Sequence, residues 1–132
     1  MQEEGDFFDA IYYFVRLGVA DSGALIAQVM DVKTGSVDDL LTPNRNLKIA
    51  GYKIKIIGNK PEVGIYFTNT ATGARVKVDN SDIVVNNPSE VMIVTPALPV
   101  GTYKLEISTQ YAVGSLLNAP RTALFNKTLT VQ

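Results

Sequence analysis

Lys53 and Lys55 alternate with Ile54 and Ile56, and Arg75 and Lys77 alternate with Val76 and Val78. In extended chain, each pair of cations then falls on one face. If the two segments are neighbouring strands, four cations gather beside Tyr52 or Tyr66. Single-strand binders use this combination to follow a phosphate backbone and stack bases. The same pattern also describes the solvated outer face of a sheet, where charge keeps edges from pairing with other chains, and this plainer reading is the one we prefer.

The overall charge is −1, but its distribution is uneven. Residues 1–44 carry eight acids against Arg16 and Lys33, a net of −6, whereas residues 45–77 carry seven cations against Glu62, a net of +6. The remaining residues, 78–132, carry a net of −1. An acidic lead followed by a basic centre hints at an anionic partner.

Other chemistry has little to work with. With no histidine and no cysteine, the chain lacks the commonest general base, the commonest metal ligand, thiolate nucleophiles and disulfides. A serine nucleophile would need a lysine base, and no Ser-x-x-Lys occurs. Asp31, Asp38 and Asp39, or Asp79-Asn80-Ser81-Asp82, offer oxygen ligands, but neither group has the spacing of a calcium loop and both read as turn formers. No Gly-rich phosphate loop precedes a helix. We therefore expect no enzyme, no cofactor and no metal.

The elements that must hold these residues are strands. Pro99 and Gly101 turn the chain into Thr102–Ser108, where Tyr103, Leu105 and Ile107 share one parity and polar residues the other, so one face is buried. Gly101-Thr102-Tyr103 at the strand entry matches the tyrosine corner of immunoglobulin-like sandwiches, whose phenol bonds back to upstream backbone. Leu47 and Ile49 hold one parity while Ile54 and Ile56 hold the other, which calls for a bulge or kink at Gly51. Further strands are expected at 25–31, 63–67, 75–78, 82–85, 91–95 and, interrupted, at 122–125 and 128–131. Residues 33–46 read as loop anchored by Leu40 or Leu41, and 112–120 as loop from their Gly and Pro. Seven or eight strands without a core helix predict an all-β, immunoglobulin-like antiparallel β-sandwich. At 132 residues this is one domain.

Residues 1–23 differ from the rest and are expected to be an N-terminal extension to a domain at 24–132. Ile11, Tyr13, Val15, Leu17 and Val19 alternate as a strand would, and residues 7–19 are apolar on nearly every side. Such a segment is expected to pair with a sheet edge, either its own in cis or that of a second copy or protein partner. The acidic start lacks the basic region of a signal peptide, and Ile11–Ala20 is interrupted by Arg16 and too short for a bilayer. The expectation is cytoplasmic, with no membrane contact.

Several stretches, taken in order, resemble a bacterial family of uncharacterised domains with an immunoglobulin-like fold found C-terminal to an HU-like DNA-binding domain. These are Val37-Asp38-Asp39-Leu40-Leu41-Thr42-Pro43, Ile49-Ala50-Gly51-Tyr52-Lys53-Ile54-Lys55-Ile56, Gly64-Ile65-Tyr66-Phe67, Asn87-Pro88-Ser89, Gly101-Thr102-Tyr103-Lys104-Leu105-Glu106-Ile107 and Leu129-Thr130-Val131. The resemblance covers roughly residues 25–131 and implies a sandwich with no known activity. It also implies that residues 6–20 are similar to the last strand of an HU-like domain, so that nucleic acid is bound only through such a linked domain. The expected role is a non-enzymatic accessory or interaction module. The alternative is a surface or secreted adhesin-type or glycan-binding module.

Overall fold

The computed structural model describes residues 23–132; the strand expected within residues 7–19, and all but the end of the extension assigned to 1–23, lie outside the described residues. Two sheets pack face to face. The first has the order β2-β1-β4-β8-β7, built from β1 (Leu25–Asp31), β2 (Ser36–Val37), β4 (Asn46–Tyr52), β7 (Ile83–Asn86) and β8 (Glu90–Val94). The second has the order β3-β11-β9-β5-β6, built from β3 (Leu40–Leu41), β5 (Gly64–Asn69), β6 (Arg75–Lys77), β9 (Gly101–Ala112) and β11 (Leu129–Val131), with β10 (Ser115–Leu124) also paired to β9. The fold is an immunoglobulin-like β-sandwich, as the alternation predicts. One pair departs from antiparallel: β3 runs parallel to β11. The segment expected as loop at 33–46 thereby changes sheets, with Leu41 as its buried anchor.

The core forms where the period-2 faces meet. Leu47 and Ile49 of β4 and Ile93 of β8 face Ile65 and Phe67 of β5 and Tyr103, Leu105 and Ile107 of β9, with Phe125 and Leu129 closing one side. Each is almost completely removed from water, and burying a side chain of this size is worth roughly 1.5–3 kcal/mol.

Two expectations need correction. The extra residue invoked for the parity change near Gly51 lies in β1, where pairing steps from Ile26–Gly51 to Gln28–Ala50. β4 itself changes direction at Lys53, whose φ of 57° ends the strand and sends Ile54 into the core. Gly51 is required by close approach, since a Cβ there would lie 2.1 Å from the Leu25 carbonyl oxygen. The second correction concerns 112–120, which is not loop: β9 turns at Val113-Gly114 directly into β10. Pro120 is tolerated because β10 bulges between Leu116 and Arg121, so no ladder amide is needed there. The Gln110 amide fills the gap by donating to the Leu117 carbonyl at 2.8 Å.

Candidate functional site

The four cations that alternate in sequence do not share a surface strand pair. Arg75 and Lys77 lie on β6, at the edge of the second sheet, whereas Lys53 follows β4 of the first sheet and Lys55 lies in the irregular segment leading out of it. Lys53 places its ammonium 5.3 Å from the Tyr52 ring centre. The Lys55 carbonyl accepts a hydrogen bond from Thr109 Oγ1, which fixes the crossing segment against β9.

At β6 the two cations cover an aromatic ring. The Arg75 guanidinium sits 3.7 Å from the centre of the Tyr66 ring and Lys77 Nζ 5.8 Å from it, distances at which the quadrupole attracts a cation. Arg75 also pairs with Glu106 at 3.3 Å, so its charge is partly compensated. Tyr66 is buried beneath them and donates its hydroxyl to the Glu62 carbonyl at 2.6 Å. A ring so covered offers no open face for a base.

The structure instead brings Lys77 towards Lys60, a residue the spacing argument passed over because it sits in the turn Gly58-Asn59-Lys60-Pro61. The Lys77 stem lies across Gly64, where a Cβ would come within 2.6 Å of Lys77 Cε, and its ammonium donates to the Pro61 carbonyl at 3.1 Å. Lys60 is held from the other side. Gln110, almost fully buried, accepts from the backbone N–H groups of Asn59 and Lys60 at 2.7 and 2.9 Å. Asn86 pairs with the Ile56 backbone through both ends of its amide, at 2.8 and 2.9 Å. Between this loop and β7 lies an open groove of about 450 Å³ with Lys60 and Lys77 on its wall, Ile56 and Ile83 among its apolar lining, and, among the described residues, no acid lining it.

The remaining sequence candidates serve the fold. Tyr103 donates its hydroxyl to the Pro99 carbonyl at 2.7 Å, and Gly101 enters the strand at φ 154° with Asn69 Nδ2 3.1 Å from where a Cβ would stand. Asp31 is fully buried and accepts from Thr34 and Thr42 hydroxyls, each at 2.7 Å. Asp38 accepts from the Val29 N–H at 2.8 Å and pairs with Lys127 at 3.5 Å. Asp79 caps the 3₁₀ turn Asn80–Asp82, accepting from Ser81 N–H and Ser81 Oγ, and these bonds hold its carboxyl below the ordinary value. Among the described residues, no helix is long and apolar enough to cross a membrane.

Comparison with known proteins adds to this geometry. No curated protein matches the chain. It is similar to a crystal structure of "a Putative bacterial DNA binding protein" from Bacteroides vulgatus ATCC 8482, with 34% identity and a TM-score of 0.77. The match covers 82% of this chain and 47% of that one, so this chain spans about half the length of the protein it matches. Residues 25–123 match the model of a family described as "Domain of unknown function (DUF4469) with IG-like fold". With that match extending over most of the sandwich, from β1 to β10, the chain belongs to this family of immunoglobulin-like domains.

Proposed function

We propose that the chain is a non-enzymatic accessory or interaction module of an HU-like DNA-binding protein, acting in the bacterial cytoplasm. The observation that carries this reading is the 34% identity to about half of the "Putative bacterial DNA binding protein". The geometry supports an accessory rather than a reading role. Of the cations expected to form one patch, only Arg75 and Lys77 share a strand, Lys53 and Lys55 lying in the segment that leaves β4 of the other sheet, and Tyr66 is capped instead of open. DNA is then engaged by a linked HU-like domain, while the sandwich supplies contacts to protein. Residues 7–19 are the segment proposed for a protein partner or self-association, because Phe7, Phe8, Ile11, Tyr12, Tyr13, Phe14, Val15, Leu17 and Val19 leave little polar surface.

The reading frame that encodes the chain tests this proposal. An HU-like domain encoded immediately upstream supports it. A signal peptide or lipobox there would instead favour the surface or secreted module.

A further inference from the structure

We infer that the groove between the 56–63 loop and β7 is a docking site for the chain's own acidic, aromatic start, residues 3–9 (Glu3-Glu4-Gly5-Asp6-Phe7-Phe8-Asp9), bound within the same copy. The groove is complementary to such a segment in two ways. Lys60 and Lys77 bring two positive charges to its wall, and no acid among the described residues lines it. Among the described residues the Lys60 ammonium has no ion-pair or hydrogen-bond partner. The apolar lining, including Ile56 and Ile83, suits a phenyl ring, and the volume of about 450 Å³ lies in the range of sites that bury a compact ligand.

Charge over the whole chain points the same way. Residues 1–22 carry five acids against Arg16, a net of −4, whereas residues 23–132 carry eleven cations against eight acids, a net of +3. The front segment therefore carries the counter-charge that the sandwich lacks. Opposite net charges attract over about a Debye length, roughly 8 Å at physiological salt, and the attraction is stronger where the ions are partly desolvated.

The start of the described chain fits this occupant. Gly23 lies against Arg121, and Leu25 pairs with Tyr52 at the end of β4. From that same end the chain leaves β4 into Ile54, whose N–H reaches the Pro88 carbonyl, and then Ile56 beside Asn86. In the first sheet, β1 and β7 are three strand spacings apart, roughly 15 Å. Residues 10–22 extended span up to about 43 Å, so the tether reaches with slack to spare. Docking of 3–9 takes Phe7 and Phe8 out of the 7–19 segment proposed above for a partner and leaves Ile11–Val19 of it for that contact. The inference does not depend on a linked DNA-binding domain.

The test is zero-length carbodiimide coupling, which joins a carboxylate to an amine only in contact, applied to an equal mixture of unlabelled and ¹⁵N-labelled full chain and read by mass spectrometry. The expected result is an isopeptide bond from Lys60 or Lys77 to Glu3, Glu4, Asp6 or Asp9 within one isotopic copy. Its yield should fall several-fold in Phe7→Ala/Phe8→Ala, which keeps every carboxylate. Amide spectra confirm that the sandwich of this variant is unchanged. Mixed-isotope products alone would show a second copy as occupant and overturn the inference. So would coupling of these lysines to other acids only, or a yield indifferent to loss of the two phenyl rings.

Discussion

The Tyr103 hydroxyl donates to the carbonyl of Pro99, four residues upstream, across 2.7 Å, while its ring lies fully inside the sandwich. This bond ties the turn that enters β9 to the strand it feeds, and β9 is the strand that pairs with β5, β10 and β11. Tyr103→Phe should cost about 1–3 kcal/mol by leaving a carbonyl unpaired. Tyr103→Ala should cost roughly 3–5 kcal/mol by emptying a core site as well. Urea unfolding with both variants indistinguishable from the parent would remove the corner from the account.

Asp31 is a buried side chain whose Oδ2 accepts two threonine hydroxyls, while Oδ1 has no partner among the described residues. Thr42→Val keeps the shape but removes one of the two hydroxyl donors to this buried side chain, and should destabilise the fold by about 1–3 kcal/mol. Equilibrium denaturation of the purified variant measures it, and an unchanged midpoint would show that the Thr34 bond suffices.

Gly51→Ala places a methyl group 2.1 Å from the Leu25 carbonyl oxygen and against the Ile54 side chain. Since the obstacle is backbone of a paired strand, the expected loss is at the upper end of the roughly 1–3 kcal/mol typical of overpacking. A variant with parental Tm would mean that β1 moves freely away from β4.

The Asp79 carboxyl is held below its ordinary value chiefly by the Ser81 N–H and next by the Ser81 hydroxyl. A carboxyl lowered by folding adds stability that is present above its unfolded pKa of about 3.9 and is lost as pH falls through the folded value. The contribution is therefore fully present at neutral pH, and its pH dependence is confined to the acid side, below about pH 5. Carboxyl NMR titration should show Asp79 moving part of the way back in Ser81→Ala, where the backbone bond survives; an identical titration in both would contradict the cause assigned.

Much of the fold was legible from alternation alone. The parity of Tyr103, Leu105 and Ile107, the boundaries of β1 and the hairpin of Phe67 with Val76 follow from a period of two and from turn residues. Illegible were features that arise between strands. Ala27 sits in the β1 bulge without any Gly or Pro to mark it. Gly114 and Pro120 imitate a loop because a bulge, which no local composition announces, absorbs the proline. The placement of the candidate site was illegible for the same reason. Alternation places Lys53 with Lys55 and Arg75 with Lys77, but only sheet order decides which strands are neighbours. That order brings Lys77 towards Lys60, a turn residue, through the Pro61 carbonyl and the buried Gln110.

The central claim is that this sandwich does not itself hold DNA. Fluorescence anisotropy of a labelled duplex, and of a single strand, titrated with the full chain at about 50 and 200 mM salt tests it most directly. If Lys53, Lys55, Arg75 and Lys77 each neutralised one phosphate, the affinity for duplex would fall with salt at a log–log slope of about −3.6. The account expects weak or undetectable binding to either form. Tight binding with such a slope, abolished by changing these four residues to Glu, would contradict it.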